Sequence, residues 1–374
     1  MSVTAGGLVT LGETLGLLVA EDVGPLPLVR GMRLSMGGAE SNVAIGVSRL
    51  GVPATWIGRL GRDSVGDLIE RHLMAERVHC LVRRDAAPTA LMLRERRTAT
   101  ASLVSYYRHG SAGSHLCPED LPDDVIEQAG VLHLTGITPA LGPGPAAAVR
   151  EAMRRARAAG VPVSVDLNFR SRLWDAATAA PVFRELAAGA DMLFASDDEA
   201  RIALGIQDPA GATSEELAVA LGGLGPTEVV VKRGRHGATA RIDGAEIDVP
   251  AVPVDAVDTV GAGDAFVAGY LASRLTGRDA HERLSTAALT GAFAVTVPGD
   301  WEASPDHMRC PCSSRRRTSS AEDHGQPRRR HRSAPASSNS QERHSDDQYG
   351  SQRRGLLRSL AELPGEVPAS TPGP

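Results

Sequence analysis

From Val131 onward the chain alternates short apolar runs with longer stretches of helical pattern. The runs are Val131–Leu134, Val161–Val165, Met192–Ala195 and Glu228–Val231, and helical stretches fall at about Pro145–Ala159, Ala177–Ala188, Ser214–Leu221, Ala265–Leu275 and Arg283–Val297. A strand that is apolar on both faces needs cover on both faces. A helix between successive strands brings the chain back in the same direction. The pattern therefore demands a mostly parallel sheet between two helical layers, a three-layer α/β/α domain. Asp243-Gly244, between Ala240–Ile242 and Ile247–Val249, has the chemistry of a tight hairpin turn and adds antiparallel strands at one edge.

The N-terminal third follows a different rule. Leu8–Leu11, Leu17–Val19, Arg33–Met36, Ala90–Arg94 and Ser102–Tyr106 have strand character, mostly without crossover helices between them. Some of these strands are expected to form a small separate sheet, a lid drawn from about residues 8–36 and 85–110. Asn42–Leu50 and Val65–Ala75 have the pattern of main-domain helices.

The alternation stops near Trp301. Residues 303–374 hold 12 arginines, 13 serines and 8 prolines, and their only bulky aliphatics are Leu356, Leu357, Leu360, Leu363 and Val367. So little apolar surface cannot offset the entropy of ordering a chain. Residues 1–303 are thus expected to be the folded domain and 304–374 a disordered tail. No internal repeat is evident.

Charge and cysteine content exclude several classes. The net charge of −5 divides into +4 for residues 303–374 and −9 for the rest. An acidic body does not suit a nucleic-acid binder, so no specific nucleic-acid partner is expected. Four cysteines cannot build a disulfide scaffold, and Cys310-Pro311-Cys312 has no second pair at metal-binding spacing. There is no uncharged apolar run of membrane-spanning length and no basic start followed by an apolar block. A cytoplasmic location is expected, with no membrane partner.

Three segments carry candidate chemistry. In Asp258-Thr259-Val260-Gly261-Ala262-Gly263-Asp264-Ala265-Phe266, glycines flank an alanine where an apolar helix begins. Backbone N–H groups can converge there on an anion, at the positive end of the helix dipole. A carboxylate beside such a hole would repel a phosphate unless it served the reaction, for example by taking the proton of an attacking hydroxyl. Alternatively, Asp264 could be a simple helix cap. Val231-Lys232-Arg233-Gly234-Arg235-His236-Gly237 follows a strand and contains the only lysine in a chain with 39 arginines; it is either a ligand-facing loop or a basic turn. Gly37-Gly38-Ala39-Glu40-Ser41-Asn42 opens a helix and either presents donors to a polyol or bends the chain between lid and domain. There is no Walker A loop and no G-x-G-x-x-G after a first strand. His133, within an apolar strand, is expected to be structural.

With these residues in view, the chain resembles the ribokinase-like (PfkB) carbohydrate kinases over about residues 6–302. The N-terminal fingerprint is Gly37-Gly38…Asn42 with Ala44, Gly51 and Gly61; the C-terminal one is Asp258-Thr259-x-Gly261-Ala262-Gly263-Asp264 with Ala268-Gly269. Within that family it is most similar to 2-keto-3-deoxygluconate kinases, through Gly38–Asn42, Tyr106–Ser114, Leu132–Ala140, Asp166-Leu167-Asn168-Phe169-Arg170 and Gly299–Glu302.

The resemblance implies ATP and Mg²⁺ as co-substrate and cofactor, and a sugar or sugar acid as acceptor. It implies that Asp264 is the general base and that Gly261, Ala262 and Gly263 hold the transferring phosphoryl group. Ser196, Lys232, Gly234 and Gly237, with Gly261 and Gly263, would line the nucleotide site, and Glu199 would organise Mg²⁺ through water. Gly37, Gly38, Asn42, Tyr106, Arg108, Arg170 and Asp300 would contact the sugar. Tyr106 and Tyr107 alternate along a strand, so at most one of them can face it. A homo-oligomer through the lid is possible within this family. Other acceptors (fructose, ribose, 5-keto-2-deoxygluconate) and a non-catalytic binding relative stay open. Ser196 stands where most of the wider family has Asn, and Met92 where the lid often carries Tyr. Past Ala303 the family's short loop and final helix are not continued.

Overall fold

The computed structural model describes residues 6–98, 101–208 and 211–305. Thirteen strands are formed among them: β1 (Leu8–Leu11), β2 (Leu15–Val23), β3 (Met32–Gly37), β4 (Ala54–Gly61), β5 (His79–Asp85), β6 (Leu91–Arg96), β7 (Ser102–Tyr107), β8 (Val131–Thr135), β9 (Val163–Asp166), β10 (Met192–Ser196), β11 (Glu228–Lys232), β12 (Ala238–Ile242) and β13 (Ala245–Val249). The helices are α1 (Ala39–Arg49), α2 (Ser64–Ala75), α3 (Pro143–Ala158), α4 (Ala176–Gly189), α5 (Asp197–Leu204), α6 (Ser214–Gly222), α7 (Ala262–Leu275) and α8 (Ala280–Ala294).

Nine strands make the main sheet in the order β13-β12-β11-β10-β9-β8-β1-β4-β5. All its pairings are parallel except those of the β12–β13 hairpin. The strand side chains split by alternation into two cores. Leu193, Ala195, Val229 and Val231 pack with α3, α4, α5 and α6 on one face. Met192, Phe194 and Val230 pack with α1, α2, α7 and α8 on the other. This period-two division of continuous apolar strands is what a sheet buried on both faces requires. Phe194 also meets Tyr270 edge-to-face at 5.2 Å, and truncating such a buried aromatic to Ala typically costs about 3–5 kcal/mol.

The lid is a four-stranded sheet, β3-β2-β6-β7, with its own small core of Leu15, Leu17, Val19, Ala90 and Met92. One expectation is corrected here. Leu8–Leu11 is not a lid strand but the centre of the main sheet, between β8 and β4. All four of its residues, Thr10 among them, are buried, because the centre of the sheet is covered on both sides. β4 and β5, unassigned from the sequence, extend the main sheet beyond it. The Asp243-Gly244 hairpin forms as expected, both residues having positive φ. His133 is fully buried against Ser164 Oγ at 3.0 Å, and burial pushes its pKa down to about 3, so it stays neutral.

The body runs to Pro305. Arg49 Nη1 holds the carbonyls of Trp301 and Ser304, at 3.1 and 2.6 Å. The expected tail is corrected at its start: Ser304 and Pro305 are buried against the body, Ser304 through its bond to Arg49, while residues 306–374, Cys310-Pro311-Cys312 and Leu356–Leu363 among them, lie outside the described residues. No described helix is long and apolar enough to cross a membrane.

Candidate active site

The chain leaves β1 toward β4 on one side of the sheet and returns to β8 on the other. Such a reversal opens a crevice at the carboxyl ends of the parallel strands. A cavity of about 1170 Å³ lies there, roofed by the lid. Its walls include every residue the sequence assigns to the sugar: Gly37, Gly38, Asn42, Tyr106, Arg108, Arg170 and Asp300, together with Gly261 and Asp264. Tyr106 faces the cavity and Tyr107 faces away, 65% exposed, as strand alternation requires.

Five helices start under side-chain caps, whereas α1, α3 and α7 start on Gly38, Gly142 and Gly261 without one. α2, α4, α5, α6 and α8 begin under the side chains of Asp63, Asp175, Ser196, Thr213 and Asp279, each accepting a backbone N–H. α7 begins instead on Gly261, with φ of 74° and no side chain to cap it. A side chain there is doubly excluded, because its Cβ would lie 1.8 Å from the Asp300 carbonyl oxygen. The first-turn N–H groups of α7 have no intrahelical acceptors, and Ala262 N–H reaches Thr259 O only at 3.4 Å. Gly261, Ala262 and Gly263 thus form a ready anion cradle.

Asp264 stands in that first turn, 7% exposed. Its Oδ2 accepts from Asn42 Nδ2 at 2.8 Å, and its Oδ1 from Asn168 Nδ2 at 3.4 Å. Burial raises its pKa above the usual carboxylate value, and the Asn42 hydrogen bond and Arg170 oppose that rise. The result is a basic carboxylate fixed at the edge of an anion cradle and facing a cavity.

Asn168 was not singled out for this role by its sequence. It has a left-handed φ of 42°, a conformation Asn tolerates better than most residues. Its amide also approaches Asp166 Oδ2 at 3.5 Å. Lys232 Nζ sits on both Asp166 oxygens at 2.7 and 2.8 Å. Burial works against the ammonium, but Asp166, Glu199 and Asp264 hold its pKa above the usual value. A Cβ placed on Gly263 would lie 3.7 Å from Lys232 Nζ, so the lysine stands beside the cradle.

Two further carboxylates were missed. Glu13 is buried, bonded to Arg108 Nη2 and Ser111 Oγ, each at 2.5 Å. Arg108 also lies over the Tyr106 ring at 5.5 Å, so the guanidinium is held on two sides while lining the cavity. Glu40 Oε1 accepts from Thr135 and Thr138, both at 2.6 Å; burial raises its pKa, with the two threonines opposing and Asp264 adding to the rise.

The other residues expected at the nucleotide lie outside the cavity walls. Ser196 and Glu199 form a capping box on α5. The Glu199 oxygens accept from Ser196 N–H at 2.7 Å and Phe169 N–H at 2.8 Å. Gly234 has φ of 55° and open space around it. Gly237 is left-handed for a local reason: its Cβ would fall 2.0 Å from Val249 O of the neighbouring strand.

Fold and site together define a sugar phosphotransferase, and the comparisons agree. Residues 6–307 match the model of the pfkB family carbohydrate kinases, and the chain belongs to that family. It is 34% identical over 302 residues to a 2-dehydro-3-deoxygluconokinase of Bacillus subtilis, covering 79% of this chain and 92% of that one. It is likewise 34% identical over 295 residues to a 2-dehydro-3-deoxygalactonokinase of Haloferax volcanii, covering 78% and 92%. Among solved structures, a PfkB protein from Polaromonas sp. JS666 matches with a TM-score of 0.71 at 34% identity, over 77% of this chain and 95% of that one. The three-layer ribokinase-like fold expected from the sequence is the fold observed.

Proposed function

We propose that this kinase transfers the γ-phosphoryl group of ATP to the terminal hydroxyl of 2-keto-3-deoxygluconate (2-dehydro-3-deoxygluconate), giving the 6-phosphate and ADP. The observation that carries the reading is the Asp264 carboxylate, buried, oriented by Asn42 and Asn168, and set in the first turn of the uncapped helix α7.

The sugar hydroxyl gives its proton to Asp264 as its oxygen bonds to the γ-phosphorus. The bond from that phosphorus to the bridging oxygen breaks, and its electron pair leaves with ADP. The N–H groups of Gly261, Ala262 and Gly263 stabilise the migrating group, whose charge shifts between oxygens. Arg108 and Arg170 supply cationic walls that suit the carboxylate of a sugar acid. The lid encloses the acceptor and excludes competing water.

Magnesium is assigned to the ATP substrate complex, where it would offset phosphate charge. Each Glu199 oxygen holds one N–H and keeps a lone pair, which suits it to accept from water on that ion. Ser196, Lys232, Gly234 and Gly237 are assigned to the nucleotide side.

The test is a panel of acceptors in a coupled ADP-release assay: 2-keto-3-deoxygluconate, its galactonate epimer, 5-keto-2-deoxygluconate, fructose and ribose. The reading expects the highest kcat/KM for 2-keto-3-deoxygluconate. A clear preference for a neutral sugar overturns the substrate assignment.

A further inference from the structure

Arg94, midway along β6, projects from the lid into the cavity wall. Its Nη2 pairs with Asp258 Oδ2, and its Nη1 stands 4.0 Å from Asp300 Oδ1. The three side chains are 12%, 9% and 7% exposed, so solvent screens these charges weakly. Both carboxylates belong to the walls of the glycine turn. Asp258 begins the segment that enters it, its oxygens accepting from Val260 N–H at 3.2 Å and Gly299 N–H at 3.4 Å. Asp300 presses its carbonyl against Gly261 from the other side. Asp264 itself is held by Asn42 and Asn168, which both belong to the body.

We propose that Arg94 is a positioning residue that couples seating of the lid over the sugar to alignment of the Gly261–Gly263 cradle, so that the phosphoryl group is held for transfer only when an acceptor is enclosed. The inference rests on the reading of Asp264 as base and the glycine turn as phosphoryl cradle.

The test compares sugar phosphorylation with sugar-independent ATP hydrolysis, using 2-keto-3-deoxygluconate, in the parent enzyme, Arg94→Met, Arg94→Lys, Asp258→Asn, the Arg94→Met/Asp258→Asn double variant and Asp264→Asn. A displaced cradle costs about tenfold to hundredfold in kcat. Arg94→Met and Asp258→Asn should each show that loss, with a larger share of ATP hydrolysed without sugar, and the double variant should be no worse than the weaker single. Arg94→Lys should recover part of the loss; if Arg94→Met does not fold, Arg94→Lys with Asp258→Asn measures the same coupling.

A pH profile adds a readout that a merely structural role would not move. Asp300 is buried and faced by the carboxylates of Glu302, Asp264 and Asp258, with Arg94 the cation opposing them. Arg94→Met should therefore raise the Asp300 pKa and move the pH dependence of the sugar KM to higher pH. Additive losses in the double variant, or a normal kcat with only lower thermal stability, overturn the proposal. If Asp264→Asn is inactive while Arg94→Met and Asp258→Asn turn over normally, the Arg94 proposal falls alone. If Asp264→Asn keeps turnover, the base reading falls first.

Discussion

Asn42 and Asp264 lie 222 positions apart in the chain and 2.8 Å apart in space, amide nitrogen to carboxylate oxygen. One comes from the first turn of α1 and the other from the first turn of α7. The bond favours the ionised carboxylate and so opposes the rise in pKa that burial imposes. Asn42→Ala removes that opposition. The Asp264 pKa then climbs further, less of the base is ionised at a given pH, and the acid limb of kcat moves to higher pH. At neutral pH kcat should fall on the order of tenfold through the loss of orientation. A pH–rate profile with its acid limb in the original place would show that Asn42 does not tune the base.

The sugar contact proposed for Arg108 depends on Glu13, which fixes the guanidinium. The pair is buried on the Glu13 side and closes at 2.5 Å. Glu13→Gln keeps the size but removes the charge that fixes the guanidinium. The sugar KM should rise by about tenfold, the loss of one charge-assisted hydrogen bond, while kcat changes little. Steady-state kinetics separate the two. A change in kcat alone would mean that Arg108 does not contribute to ground-state binding.

Lys232 and Asp166 form a buried ion pair beside the site, at 2.7 Å. Removing one member leaves a buried charge without its partner, which costs about 3–5 kcal/mol. Lys232→Met should therefore lower the unfolding free energy by that amount in denaturant titrations. Adding Asp166→Asn should restore part of it, because the uncompensated carboxylate is gone. Simple additivity of the two losses would contradict the pairing.

Asp300 makes stability depend on pH. Burial, with Glu302 and Asp264 adding to it, lifts its pKa from 3.8 to about 7. Between those values the unfolded chain has released its proton while the folded chain still holds it. Stability from this group is full below pH 3.8 and is lost as pH rises to about 7. Asp300→Asn removes the cost of a buried charge, so the variant should gain on the order of 1–3 kcal/mol at pH 8 and nothing at pH 3.5. Thermal melts at the two pH values decide this. Sugar binding should weaken in the same variant, because Asp300 lines the cavity.

What was legible in the sequence followed local rules. α2, α3, α4 and α6 begin within two residues of their expected starts, because caps and turns are written in adjacent residues. β1 was grouped with the candidate lid strands because a run as short as Leu8–Leu11 does not say which neighbours will cover it. β4 and β5 were missed for a related reason: β4 mixes glycine, arginine and tryptophan, and its burial comes from β1 and β5 rather than from its own pattern. The site divides in the same way. Glycine turns and the carboxylate beside them have a local signature. Asn168, Glu13 and Arg94 reach the site through partners 96, 98 and 164 positions away. The Asp166-Leu167-Asn168-Phe169-Arg170 stretch was the one visible hint of Asn168, and its left-handed backbone is the physical reason an Asn suits that place.

The central claim is that the Asp264 carboxylate takes the proton of the attacking hydroxyl. The most direct measurement is kcat for Asp264→Asn with 2-keto-3-deoxygluconate and ATP, paired with equilibrium binding of the sugar. Losing a general base lowers kcat by about 10²–10⁴, and the sugar should bind almost as before. Turnover within a few-fold of the parent enzyme would contradict the account.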